Sequence, residues 1–127
     1  MQTNKKETRM IDHVFLKVGD MVLSRAFYEK ALAALGIKVL MEFPNGVAFG
    51  REKPELGIAE GDADGACVHL AFSSPDRKTV EAFYHEALKA GGRDNGPPGL
   101  RPQYHPNYYG AFVIDPDGNK LAFFQFG

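Results

Sequence analysis

Apolar positions along the chain follow two rhythms, that of strands and that of a helix, and run through them twice in the same order. Ile11 to Val18 is rich in β-branched and aromatic residues, as a strand requires, and Gly19-Asp20 breaks it with a residue suited to cap a helix. From Met21 to about Leu35 the residues Leu23, Phe27, Ala31 and Ala34 recur at helical spacing, one buried stripe on a helix that Gly36 stops. Three strands are predicted next, Ile37 to Phe43, Val47 to Gly50 and Leu56 to Glu60, with turns at Pro44-Asn45-Gly46 and at Arg51 to Pro54.

After a Gly- and Asp-rich linker, Gly61 to Gly65, the order restarts. A strand is predicted over Cys67 to Ser73, and Pro75-Asp76 opens a helix that runs to about Ala90. A shift of 56 places Asp20 on Asp76, Ala26-Phe27-Tyr28 on Ala82-Phe83-Tyr84, Ala31-Leu32 on Ala87-Leu88 and Gly36 on Gly92. His13 falls on His69 at the same shift. A cap, an aromatic pair, a stop and a histidine on the preceding strand, held in one register, mark a repeated unit.

The halves differ at Arg93 to Asn107, where four prolines stand in place of a plain strand. Long loops of this kind are commonly functional or mobile. Order returns at Tyr109 to Ile114, turns at Asp115-Pro116-Asp117-Gly118-Asn119, and closes with a strand at Leu121 to Phe126. The expected fold is therefore α+β, two repeated βαβββ modules forming a half-open curved sheet with the helices on its convex face. Residues 1–9 read as a flexible N-terminal tail and 10–127 as one domain, with modules at about 10–60 and 66–127. The concave face is a place for a small ligand.

Composition narrows the partners. With 127 residues, 44% of them apolar, one ordinary domain with a sizeable core is expected. Fifteen Lys plus Arg against sixteen Asp plus Glu leave a net charge of −1, which provides no global field for nucleic acid or a membrane surface. No apolar run reaches membrane-spanning length and no secretory segment opens the chain. A lone Cys67 excludes an internal disulfide and suits a reducing, cytoplasmic setting.

The opening IDHVFLKVGD with its AFYEKAL helix, the central ACVHLAF strand and the closing YYGAFVIDPDGNKLAFF hairpin resemble the vicinal oxygen chelate superfamily of glyoxalases, bleomycin-resistance proteins and extradiol dioxygenases. The likeness spans Ile11 to Phe126. It implies a cavity that holds one divalent metal, Fe, Mn, Zn or Ni, or in binding members none. It also implies a small-molecule substrate with vicinal oxygens, and a homodimer.

Carried over by position, the metal ligands are His13 and His69, and the carboxylate expected after DPDGNKL is Ala122 instead. A ligand on the fourth strand falls near Ile58, with Glu60 two residues on, and His105 is a further candidate donor. A facial metal site needs three protein donors as a rule. Two readings stand. In one, His13, His69 and Glu60 or His105 hold a metal that serves a lyase, isomerase or dioxygenase, with His13, His69 and His105 as catalytic groups. In the other, the histidines are hydrogen-bonded remnants lining a metal-free cleft that binds or sequesters a flat molecule, as antibiotic-resistance members do.

The run Tyr104-His105-Pro106-Asn107-Tyr108-Tyr109, with Arg101 upstream, is the densest set of polar-tipped aromatics. It reads as a rim in which Tyr104, Tyr108 and His105 orient a ligand, Arg101 pairs with a carboxylate or phosphate, and Phe124 supplies wall. The bland alternative is an exposed loop satisfying itself. His85 reads as a surface residue, Cys67 as a buried thiol or a neighbour of His69 in the cavity, and Tyr28 and Tyr84 as helix packing.

Overall fold

Both helices begin where an aspartate turns its side chain back on the chain. In the computed structural model, which describes residues 11–62 and 68–126, Asp20 accepts a hydrogen bond from the Leu23 N–H at 3.0 Å and Asp76 one from the Thr79 N–H at 2.8 Å. The helices they cap are α1, Met21–Ala33, and α2, Arg77–Lys89. Around them run β1 Val14–Val18, β2 Lys38–Phe43, β3 Gly46–Gly50, β4 Pro54–Glu60, β5 His69–Ser73, β6 Arg93–Asp94, β7 Gly99–Leu100, β8 Tyr108–Ile114 and β9 Lys120–Phe126. The expected tail, the middle of the linker and Cys67 lie outside the described residues.

The strands form two mixed sheets in the same spatial order, β1-β4-β3-β2 and β5-β9-β8-β6, with β7 also pairing β8. Each outer pair, β1 with β4 and β5 with β9, is parallel and the rest are antiparallel. Neither sheet closes into a barrel, and each repeats βαβββ with one helix against one face. The stretch expected as a long loop, Arg93 to Asn107, keeps the module's second strand, at the sheet edge, in two broken pieces, β6 and β7. Pro97 and Pro98 have no N–H to give a ladder, so pairing survives only on either side of them.

One hydrophobic core serves both modules. Leu16, Val18, Phe49 and Ile58 meet Phe27, Tyr28 and Leu32 of α1, and Val113, Leu121 and Phe123 meet Val80 and Phe83 of α2. The buried stripe of α1 is Ser24, Phe27, Tyr28, Ala31 and Leu32, so Leu23, expected inside, lies 46% exposed. Ser24 takes the inner place because its hydroxyl donates to Asp117 at 3.1 Å. The two helices also end one residue out of register with the repeat. The Ile37 N–H bonds to the Leu32 carbonyl and the Gly92 N–H to the Ala87 carbonyl, so the left-handed residue after α2 is Gly91, φ 106°, and the residue after α1 is Gly36, φ 74°.

Asp115 is the polar knot of this core. It is buried, and its carboxylate accepts the N–H groups of Asp117 (2.9 Å) and Asn119 (2.8 Å), the Asn119 amide (3.0 Å) and the hydroxyl of Tyr28 from α1 of the other module. Asp117 accepts the Gly19 N–H at 3.0 Å. The turn between β8 and β9 thereby staples the first module to the second. Tyr84, the counterpart of Tyr28, donates to Asp94 within its own module at 2.8 Å. Both tyrosines pack, as expected, and both also carry a polar anchor that the helix pattern does not reveal.

Candidate functional site

Alternation along the ladders decides which residues face away from the helices. Phe15 pairs with Gly57, Gly57 with Ala48, and Ala48 with Met41, so these residues share the concave face of the first sheet. Here Phe15, Met41 and Phe43 stand 45%, 46% and 38% exposed, more apolar surface than a buried core leaves behind. They line a cavity of about 340 Å³ together with His13, Lys53 and Glu55. Phe15 lies flat across Gly57, where a Cβ would come within 2.3 Å of its ring. Its edge meets the His13 ring, centroids 5.7 Å apart, and Phe43 lies at 6.1 Å.

His13 sits one residue before β1, exposed, with Nδ1 against the Asp12 carboxylate at 3.0 Å. Donation of Nδ1–H to that carboxylate leaves the lone pair on Nε2, which can take a proton or meet a cation. Glu55 lines the same cavity, and no motif in the sequence points to it. Its place follows only from β4 running parallel to β1, with Val14 beside Leu56.

The second sheet has its own concave face, formed by His69, Ala71, Ala122, Phe124, Tyr108 and Phe112. Tyr108 stacks on Phe124 with centroids 5.2 Å apart and planes 9° from parallel, and Tyr104 meets Tyr108 edge-on at 5.1 Å. Glycine again permits the close approach, since a Cβ on Gly110 would fall 2.7 Å from the Tyr108 ring. Burial holds the Tyr108 hydroxyl above its ordinary pKa, with Tyr104 adding to the rise and Arg101 opposing it. A cavity of about 320 Å³ lies beside this wall, lined by His69, Asn95, Gly96, Arg101, Tyr104 and Phe112.

The structure groups Arg101, Tyr104 and His69 in one cavity and His13 in the other, and the two cavities share no lining residue. His105 lines neither. Its Nδ1 accepts the Asn107 N–H at 3.0 Å and fixes the turn before β8. Glu60 pairs with Val18 at the end of β4, on the face of Ile58, which is fully buried toward α1, so it points away from the side that carries His13. Equivalent pairings, Phe15 with Gly57 and Ala71 with Ala122, make Gly57 the counterpart of Ala122. The carboxylate positions of both modules therefore hold residues without a donor. Among the described residues no three His, Cys, Asp or Glu side chains come together as a cation site. The described residues do not fit a divalent ion within one chain.

Two βαβββ units thus each offer an aromatic hollow with a histidine among its residues. The chain belongs to the Glyoxalase/Bleomycin resistance protein/Dioxygenase superfamily, whose family model matches residues 10–123. It is similar to the crystal structure of a glyoxalase/bleomycin resistance protein from Albidiferax ferrireducens T118, with 25% identity over 94% of this chain and 100% of that one and a TM-score of 0.77. A glyoxalase I mutant from Zea mays is 28% identical over 89% of this chain and 45% of that one, with a TM-score of 0.66. A glyoxalase/bleomycin resistance protein/dioxygenase family enzyme from Burkholderia phytofirmans PsJN shares the fold at 18% identity over 91% of this chain and 98% of that one, with a TM-score of 0.72. No curated protein matches the chain. Among the described residues no helix is long and apolar enough to cross a membrane.

Proposed function

We propose that this chain is a cytoplasmic, small-molecule-binding member of the superfamily that holds a flat, largely apolar ligand between aromatic walls and needs no metal to do so. One observation carries the reading. Where the family resemblance puts a carboxylate, Ala122, paired with Ala71 and Phe112, is 1% exposed and its counterpart Gly57 is roofed by Phe15. Neither position offers a donor to a cation, while the faces beside them offer rings, and rings stack on rings at about 0.5–1.5 kcal/mol each beyond their area.

Each half-site is open. A homodimer that lays the Phe15 face of one copy over the Tyr108 face of another would enclose the ligand and cover the exposed Phe15, Met41 and Phe43. His13 and its Asp12 partner then stand at the mouth, placed to accept a proton or a hydrogen bond from a ligand hydroxyl.

The test is elemental analysis of protein purified without chelator, followed by a thermal-shift screen of flat aromatic compounds in the presence of chelator. The expected result is no stoichiometric transition metal and hits that survive chelation and weaken in Tyr108→Ala and Phe15→Ala. A stoichiometric metal lost in His13→Ala would refute the proposal. It would favour instead an ion held by His13 and Glu55 of one copy with His69 of a second, the donor set of a two-histidine, one-carboxylate centre. Light scattering at the concentration of the screen checks the dimer, expected at twice the 14.0 kDa of the chain.

A further inference from the structure

The aromatic walls do not account for the polar corner of the second half-site. Arg101 is held there with unusual economy of space. One guanidinium nitrogen, Nη2, donates to the Pro97 carbonyl at 2.7 Å and the other, Nη1, to the Leu100 carbonyl at 3.4 Å. The guanidinium carbon lies 5.2 Å from the centre of the Phe112 ring. Two glycines make the approach possible: a Cβ on Gly96 would sit 2.9 Å from that ring and 3.2 Å from Nη2, and one on Gly99 3.1 Å from Nη1. Of the five N–H donors of a guanidinium, two are spent on these carbonyls and three remain.

No acidic side chain among the described residues pairs with this charge. The nearest along the chain, Asp94, belongs to the other face, where its carboxylate takes the Tyr84 hydroxyl at 2.8 Å and the Gly96 N–H at 2.9 Å. The cation thus borders a cavity of about 320 Å³ that also offers His69, Asn95 and the Tyr104 ring. A fixed planar fork with spare donors matches a carboxylate in two-point contact, and one guanidinium balances one negative charge.

We infer that this corner seats the carboxylate of a planar aromatic acid, with the ring of the acid against Tyr104, which lines the same cavity and meets Tyr108 edge-on. The inference rests on the proposed function and names the ligand class of that site. Arg101 is the residue that selects acid over neutral analogue, and Gly96 and Gly99 are what let it lie flat on Phe112.

The test uses naphthoate, its neutral amide and naphthyl phosphate, titrated by calorimetry with chelator present. The acid is expected to bind at least about tenfold more tightly than the amide, the preference a charge-assisted pair supplies. Arg101→Gln should weaken the acid far more than the amide and so abolish that preference, and Arg101→Lys, which keeps the charge and loses the fork, should restore only part of it. A urea midpoint close to that of the wild type shows that each variant is folded. Equal binding of acid and amide, or a preference that survives Arg101→Gln, overturns the carboxylate seat and leaves the aromatic cleft standing. A tenfold preference for the phosphate over the acid overturns it in favour of a phosphate seat. Failure of all three probes overturns the seat and the cleft together.

Discussion

Tyr28→Phe removes one oxygen from the interior and tests what joins the modules. The ring keeps its place, edge-on to Phe27 at 4.9 Å and tilted against Phe49 at 6.2 Å, so no cavity opens in the hydrocarbon core. The loss is the hydroxyl donated to Asp115, a carboxylate that is 1% exposed and retains its three N–H partners from Asp117 and Asn119. A hydrogen bond to a buried charge contributes about 1.5–3 kcal/mol net, so the expected loss is about 2 kcal/mol. For a chain of this length that lowers Tm by about 6–8 °C. Tyr84→Phe is the internal control: same residue by repeat, same helix position, but a bond to Asp94 at the surface, with a smaller expected loss. Urea titrations of the wild type and both variants give the comparison, with a lower midpoint and an unchanged slope for Tyr28→Phe. Equal effects of the two substitutions, or no effect of Tyr28→Phe, would refute the claim that Asp115 depends on the first module.

The same pair contributes to the alkaline limit. Burial first, then Asp115, raises the Tyr28 hydroxyl above its ordinary 10.0, so the folded protein keeps it neutral where the unfolded chain ionises it. Stability present below pH 10 therefore falls as pH rises beyond it, and Tyr28→Phe flattens that fall in urea titrations across the alkaline range. Gly92→Ala should destabilise by about 1–3 kcal/mol through crowding, since its Cβ would lie 2.7 Å from the Phe27 ring and 2.9 Å from the Ala87 carbonyl. Gly91→Ala, with open space around it and φ at 106°, should lose only the conformational part, about 1 kcal/mol, in the same assay. Tyr108→Ala removes the ring that stacks on Phe124 and should weaken any aromatic ligand about tenfold in calorimetry, with Tm shifted by only a few degrees.

What the sequence reveals here is what the chain does locally. Asp20 and Asp76 cap within three residues of themselves, and Asp115 to Asn119 turns on its own hydrogen bonds, so the order of elements and the repeat are readable without a partner in view. The broken strands β6 and β7 are not, because prolines that read as loop merely interrupt a ladder set by β8. Positions of His13 and His69 follow from the repeat. Which face Glu60 takes does not, since a strand boundary misplaced by one residue inverts every side chain in it. Glu55 and Gly57 become visible only when β4 is laid beside β1. Arg101 is legible as a charge near tyrosines, while its fixed pose depends on Gly96 and Gly99, which in sequence look like ordinary loop glycines.

The network around Asp115 bears on function as well as stability. Gly19, Ser24 and Tyr28 of the first module all bond to Asp115 or Asp117 of the second, so α1 is fixed against the turn between β8 and β9. That turn leads directly into β9, which carries Ala122 and Phe124 on its concave side. A displaced α1 would therefore move the wall of the proposed ligand site through the strand that follows the turn. Within one chain this anchoring holds the His13 hollow and the Arg101 hollow as separate surfaces with no shared residue. A ligand that needs both must find the second on another copy, which ties binding to protein concentration as well as to ligand concentration.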